Sequence, residues 1–214
     1  VTIPFLGVAM FLIWPLFNMV INGFGDLLSQ AGAFGTFIYG FLERLLIPTG
    51  LHHILNQLIR FTPIGGAAMI NGEQISGALN IFNALLMDPN ADMDVMRQAT
   101  RFLTQGTHPF MVFGLPAACY AMYKTALPKN KKKVKGVLLA AGLTSFFTGI
   151  TEPIEFSFFF ISPLLWLFHA CMAGLSFLIN TLLEVCIGNA GGGLIDLVIF
   201  GVLRGTQTKW ILNV

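Results

Sequence analysis

Charge is what this sequence has least of. Asp, Glu, Lys and Arg make up 10% of its 214 residues and hydrophobic residues 55%, whereas a soluble domain carries about 25% charged residues. Too few polar side chains are present to coat a water-soluble globule. Cysteine is also scarce. Cys119, Cys171 and Cys186 lie in apolar surroundings, with neither metal-ligand spacing nor the even number of a disulfide framework, and read as buried apolar residues. The adjacent His52 and His53 lack a spaced third ligand, so no metal site is expected. The run Gly188-Asn189-Ala190-Gly191-Gly192-Gly193 lacks the lysine and the preceding strand of a phosphate-cradling loop, so ATP hydrolysis within the chain is unsupported. Asp88 to Arg101 lacks the glycine and closing glutamate of a calcium loop and reads as a solvated loop. No internal repeat is found, and no cofactor is expected. The opening Val1-Thr2-Ile3-Pro4 shows neither an initiator Met nor a charged segment followed by a cleavage site, so truncation at the N-terminus is expected.

What the chain does have is long apolar stretches. Val1 to Gly25, Phe102 to Tyr123, Gly136 to Thr151 and Phe156 to Leu183 contain no charge at all, and about 20 apolar residues suffice to cross a bilayer. Six of the twelve basic residues fall in one segment, Lys124, Lys129, Lys131, Lys132, Lys133 and Lys135. Positive loops stay inside, so this loop is assigned to the cytoplasm. A nucleic-acid patch is rejected, because the run joins two apolar segments only a short loop apart.

These features predict an all-α polytopic membrane protein. Residues 1–21 read as one transmembrane helix kinked at Pro4 and Pro15, with Asp26 to Ala33 as an interfacial connector; 1–33 would form one unit and 34–214 another. From Phe34 to about Met87 the apolar pieces are too short to span and are broken by Pro48, Gly50, Pro63, Gly65, Gly66, Gly72 and Gly77. Broken helices at membrane depth are tolerated where they line a cavity or are buried in protein, which makes this region a candidate binding site. Phe102 to Tyr123 reads as a spanning helix, and Val137 to Phe147 as a return into the membrane. That return should break at Gly149-Ile150-Thr151-Glu152-Pro153, because the residue before a proline is driven out of the α region. The chain restarts at Pro153 and continues through Pro163 towards Leu183. The glycine-rich run then precedes a last apolar piece, Leu194 to Leu203.

Glu152 and Glu155 are the most informative residues, since a carboxylate at membrane depth is costly unless it meets water, a partner or a ligand. Glu152 sits at the break itself and Glu155 within the next turn. A carboxylate accepting from hydroxyls suits a neutral sugar and can also act as a general base; the alternative is that both cap the following helix. The second polar constellation is Glu43-Arg44 followed by Pro48-Thr49-Gly50 and His52-His53. Its alternative is a Glu43 to Arg44 contact at an interface with surface histidines. His108 and His169 are isolated and read as structural. Glu184 and Asp196 interrupt apolar sequence and could line a pathway or pair with Arg204 or Lys209.

Three stretches, Tyr39-Gly40-Phe41-Leu42-Glu43-Arg44 through His53, Phe113-Gly114-Leu115-Pro116-Ala117-Ala118, and Leu143 through Gly149-Ile150-Thr151-Glu152-Pro153-Ile154-Glu155 to Phe158, resemble the membrane-embedded IIC component of the glucose superfamily of sugar phosphotransferase systems. The similarity covers essentially the whole chain, and Gly188 to Asp196 is closer to the maltose and α-glucoside branch than to the glucose branch. The resemblance implies a homodimeric permease of the bacterial inner membrane. Its C-terminal half would form a sugar-binding transport domain with two re-entrant hairpins, and its N-terminal helices a dimerising scaffold. It implies that Glu152 and His52 approach the sugar hydroxyl to be phosphorylated, with Arg44, His53, Thr151 and Glu155 contributing to the substrate site. The phosphoryl donor would be a phosphocysteine on a IIB domain. That cysteine is followed by a Thr-Arg-Leu-Arg-like run, and no such run occurs here. Two further readings are weighed: an ion-coupled or facilitative permease without phosphorylation, over which the specific motif favours phosphotransfer, and a structural or sensory partner that binds no sugar, against which the two polar broken regions argue. Maltose is expected first as substrate, glucose second.

Overall fold

The computed structural model describes residues 2–88, 91–189 and 191–214. Val1, which opens the first apolar stretch, Pro89 and Asn90 of the acidic segment, and Ala190 of the glycine-rich run lie outside the described residues.

The first helix, α1 (Thr2–Gln30), encloses Pro15 and runs on through Gly23 and Gly25. The expected connector from Asp26 is thus mostly the last turns of α1. Glycine costs only about 1 kcal/mol in a helix, and Gly25 is used for packing: a Cβ there would lie 3.1 Å from Ile64 Cγ1, while Leu28 is buried in the core. The broken region follows as expected, as α2 (Ala33–Leu45), a 3-10 turn at Ile47–Thr49 and α3 (His52–Phe61). It then departs from an all-α fold. β1 (Ala67–Ile70) and β2 (Glu73–Ser76) form an antiparallel hairpin, turned by Asn71 (φ 53) and Gly72 (φ 86), the positive-φ pair that a tight hairpin demands.

After α4 (Ala78–Leu86), the polar segment read as a solvated loop instead holds α5 (Met93–Thr100). The Asp92 side chain caps its N-terminus, accepting from the Asp94 and Val95 N–H groups, and its Met96, Ala99 and Thr100 are buried. The segment is thus a short amphipathic helix whose polar face supplies the charge.

Phe102 to Tyr123 is not one helix either. A 3-10 turn at Thr104–Gly106 leads into a π-helical turn at Pro109–Gly114, and only then α6 (Leu115–Thr125). Backbone outside regular helix needs other partners when buried, and side chains supply them. Ser176 Oγ donates to Gly106 O (2.6 Å), Asn213 Nδ2 to Gln105 O (2.6 Å), and the Ile187 N–H to Gln105 Oε1 (3.2 Å).

α7 (Lys131–Thr148) ends at Gly149, whose φ of 74° closes the helix in the left-handed conformation. α8 (Glu152–Phe159) restarts with Pro153 in its first turn, and α9 (Pro163–Leu182) follows after a short gap. The break expected between Gly149 and Pro153 is therefore present. α10 (Gly193–Asp196) and a π-helical turn at Leu197–Val202 complete the last apolar piece.

The chain is mostly helical, and α2 packs most extensively on α9. Small residues let the two helices approach: Gly40 lies against Phe177, and Gly174 against Phe37. Tyr39 packs edge-on to both Phe102 and Phe177, within a core that also includes Ile59, Phe82, Met96 and Cys186. The surface is as informative as the core. Phe11, Met87, Phe160, Ile161, Leu164 and Leu203 are all at least 75% exposed, which suits hydrocarbon rather than water. Among the described residues one helix, Pro163–Leu182, is both long and apolar enough to cross a membrane.

Candidate functional site

The two polar regions singled out from the sequence, more than a hundred residues apart, meet inside the protein. Arg44, in the last turn of α2, reaches across to the break between α7 and α8. Its Nη1 donates to Glu155 Oε1 (3.0 Å) and to Thr151 Oγ1 (3.2 Å), while its Nη2 lies 3.2 Å from Glu43 Oε1. Arg44, Glu43, Thr151 and Glu155 are each at most 5% exposed, and the guanidinium stacks over Phe110, 5.1 Å from the ring centre. Both α2 and α8 are short because of the Pro-containing breaks beside them, and those breaks are what bring the end of one helix against the start of the other.

The network continues on both sides. Asn56 Nδ2, on α3, donates to Glu43 Oε1 (3.3 Å), and Asn56 Oδ1 accepts from the Tyr39 hydroxyl (2.6 Å). On the other side His169 Nε2, on α9, stands 2.9 Å from Glu155 Oε1. An ionised carboxylate can only accept, so that nitrogen carries the proton. Four helices are thereby tied to one arginine flanked by two carboxylates.

The expected site residues divide into three groups. Arg44, Thr151 and Glu155 are joined by direct hydrogen bonds. His52 is the first residue of α3, 7% exposed, with its ring 4.0 Å from that of His53; Arg44, Glu43 and Glu152 all act on it electrostatically. Glu152 is half-buried and its Oε2 accepts from the Thr151 N–H (3.1 Å), whereas His53 is exposed. The Glu43 to Arg44 contact weighed from the sequence is real, but it is buried in this cluster rather than lying at an interface.

Several buried polar atoms here make no hydrogen bond among the described residues: Glu43 Oε2, Glu155 Oε2, Arg44 Nε and His52 Nδ1. Buried groups of this kind are normally satisfied, so the cluster has donor and acceptor capacity to spare. No group of three or more His, Cys, Asp or Glu that could hold a metal ion occurs among the described residues.

His169, taken from the sequence as isolated, belongs to the cluster. Its neighbours along α9 are apolar, and nothing in its local spacing signals a partner fourteen residues earlier. Glu184 pairs with Lys209 (2.7 Å) at the surface, one of the pairings considered. Asp196 instead accepts from the Gly192 N–H and from Asn189 Nδ2.

A cavity of about 860 Å³ lies away from the charges, between α9, α8 and the 109–122 segment, and touches the cluster through His169. Its lining is dominated by Phe110, Leu115, Phe158, Leu165, Phe168 and Met172, an apolar wall unsuited to a hydroxyl-rich guest. The charged cluster, not this cavity, is the candidate site.

The Phosphotransferase system, EIIC family matches residues 1–174. The chain belongs to that family. It is 46% identical over 206 residues to the PTS system maltose-specific EIICB component of Escherichia coli (strain K12), covering 96% of this chain and 39% of the relative. It is 43% identical over 205 residues to the PTS system glucose-specific EIICBA component of Staphylococcus carnosus (strain TM300), covering 95% of this chain and 29% of the relative. This EIIC chain thus spans well under half the length of the curated relatives it matches.

Proposed function

We propose that this chain is the sugar-binding transport part of a phosphotransferase-system permease, carrying maltose, or glucose as second choice, across the bacterial inner membrane and presenting it for phosphorylation. The observation that carries this reading is the junction of the two polar breaks through Arg44, Thr151 and Glu155, which gives a neutral polyol a buried surface of unmatched donors and acceptors. The maltose-specific and glucose-specific names of the relatives support the substrate class. Their EIICB and EIICBA names support a IIB partner in the parent protein.

On this reading Glu152 and His52 bind the reacting hydroxyl and take its proton. The sugar C6 oxygen attacks the phosphorus of a IIB phosphocysteine. The P–O bond forms, the S–P bond breaks, the cysteine leaves as thiolate and the hydroxyl proton passes to the carboxylate or imidazole. Phosphoryl transfer of this type depends on positioning and electrostatics, and a positioned general base contributes about 10²–10⁴-fold. Arg44 binds sugar hydroxyls through the N–H groups left over from its ion pairs, with Glu155 and Thr151 fixing its orientation and His53 bordering the entrance. The segments around Pro48–Gly50 and Gly149–Pro153 act as the tips of re-entrant hairpins, the lysine loop faces the cytoplasm, residues 1–33 lead to a scaffold and 34–214 form the transport domain of a homodimer.

The test uses membranes containing the full-length parent, the soluble phosphotransfer proteins, phosphoenolpyruvate and labelled maltose or glucose. Phosphorylated sugar is expected, reduced at least about 100-fold by Glu152→Gln. Saturable entry of unmodified sugar that ignores phosphoenolpyruvate would replace this reading with an ion-coupled or facilitative permease.

A further inference from the structure

Among the described residues the Glu152 carboxylate accepts one hydrogen bond, from the preceding N–H, so its position is set by the backbone turn that carries it. That turn rests on the glycine-rich segment before α10. A Cβ added to Gly149 would stand 2.7 Å from the Gly192 carbonyl carbon and 2.9 Å from Gly193 N; one added to Gly193 would stand 2.6 Å from Gly149 N and 2.7 Å from Phe147 O. Two strands of bare backbone therefore lie directly against each other, with no side chain between them to absorb a shift.

The glycine-rich segment is itself clamped at both ends. Thr104 Oγ1 donates to Gly188 O (2.8 Å) and to Asn189 O (3.2 Å). Asp196 Oδ2 accepts from the Gly192 N–H (2.9 Å) and from Asn189 Nδ2 (3.0 Å), and so pins the residues that touch Gly149. Asp196 interrupts an apolar piece where a carboxylate is otherwise costly. Among the described residues its hydrogen bonds all go to this loop.

We propose that Asp196, with Asn189, is a positioning residue for Glu152: by fixing Gly192 and Gly193 it fixes the Gly149 turn, and through that turn the placement of the Glu152 carboxylate. This rests on the role given to Glu152 above. Misplacement of a catalytic group by about 1 Å can cost on the order of 100-fold in rate, so a group that never meets the sugar can still govern turnover.

The experiment is a double-mutant cycle in the full-length parent, read by single-turnover phosphorylation and by labelled-sugar binding. Asp196→Ala is expected to lower phosphorylation about ten-fold or more when Glu152 is present, and less than about two-fold when the chain already carries Glu152→Gln, because residues acting through one another are non-additive. Asn189→Gly keeps the positive φ of 72° and deletes only one bond to Asp196; a smaller loss with the same dependence on Glu152 is expected. This gentler variant decides the matter if Asp196→Ala fails to accumulate in membranes. Equal losses in the two backgrounds would overturn the positioning role. Full activity of Glu152→Gln alone is a separate failure, which sinks the assignment of Glu152 and is seen before Asp196 is touched.

Discussion

Arg44 and Arg97 each meet a carboxylate at similar range, 3.0 Å from Glu155 and 2.7 Å from Asp94, yet different physics governs the two pairs. Arg97 and Asp94 lie three residues apart on α5, with the aspartate side chain 82% exposed. Water and salt screen such a pair, and its aspartate end is free to exchange it for solvent, although the arginine side chain is only 28% exposed. Arg44 and Glu155 are 4% and 0% exposed and come from helices far apart in sequence. Neither can recover its lost hydration except through the other members of the cluster. The shorter distance therefore belongs to the weaker interaction, and geometry ranks the two only once burial is known.

The sharpest way to break this comparison is Arg44→Ala, which strands Glu43 and Glu155 together without their cation. Removal of one partner from a buried pair costs about 3–5 kcal/mol, so the full-length parent should be recovered from membranes in much reduced amount and melt well below the unaltered protein in detergent. An unchanged melting temperature would mean that the carboxylates reach water. The paired replacement Arg44→Met with Glu155→Leu removes one of the two stranded carboxylates and leaves Glu43 without its cation, so it should restore part of the lost stability while leaving sugar phosphorylation abolished, a separation of folding from function that neither single change gives. Gly40→Ala tests the contact that brings α2 to α9 and so delivers Arg44 to its partners. The added methyl meets the Phe177 ring, and overpacking of this kind costs about 1–3 kcal/mol, readable as a lower melting temperature. Arg97→Ala, at the other end of the scale, should cost under about 1 kcal/mol and leave transport unchanged.

The sequence was most legible where proline and glycine cluster. Pro48 with Gly50, and Gly149 with Pro153, mark the ends of helices, whereas the lone Pro15 is enclosed in α1, and a charged side chain in an apolar run demands a partner, so both the breaks and the residues worth pursuing could be read directly. The partner itself could not. Glu152 and Glu155 are three residues apart and chemically alike, and only the packing of α8 against α2 and α9 turns Glu155 towards Arg44 and His169. His169 escaped notice for the same reason. The β-hairpin was missed although Asn71-Gly72 is a strong hairpin signal, because strands of four residues carry too little alternation to compete with the surrounding glycines. The irregular stretch at 102–108 was hidden more deeply: its apolar composition matches a spanning helix, and the side chains that satisfy its backbone, Ser176 and Asn213 among them, come from the far end of the chain.

The separation of Arg44 from Glu155 by 111 positions also has a meaning in time. Chains are synthesised at roughly 5–20 residues per second, so Arg44 is made roughly 6–20 s before the carboxylate that will receive it. Glu43, its immediate neighbour, is available from the start. Of the two carboxylates that hold Arg44 in the folded protein, only Glu43 is therefore present during that interval.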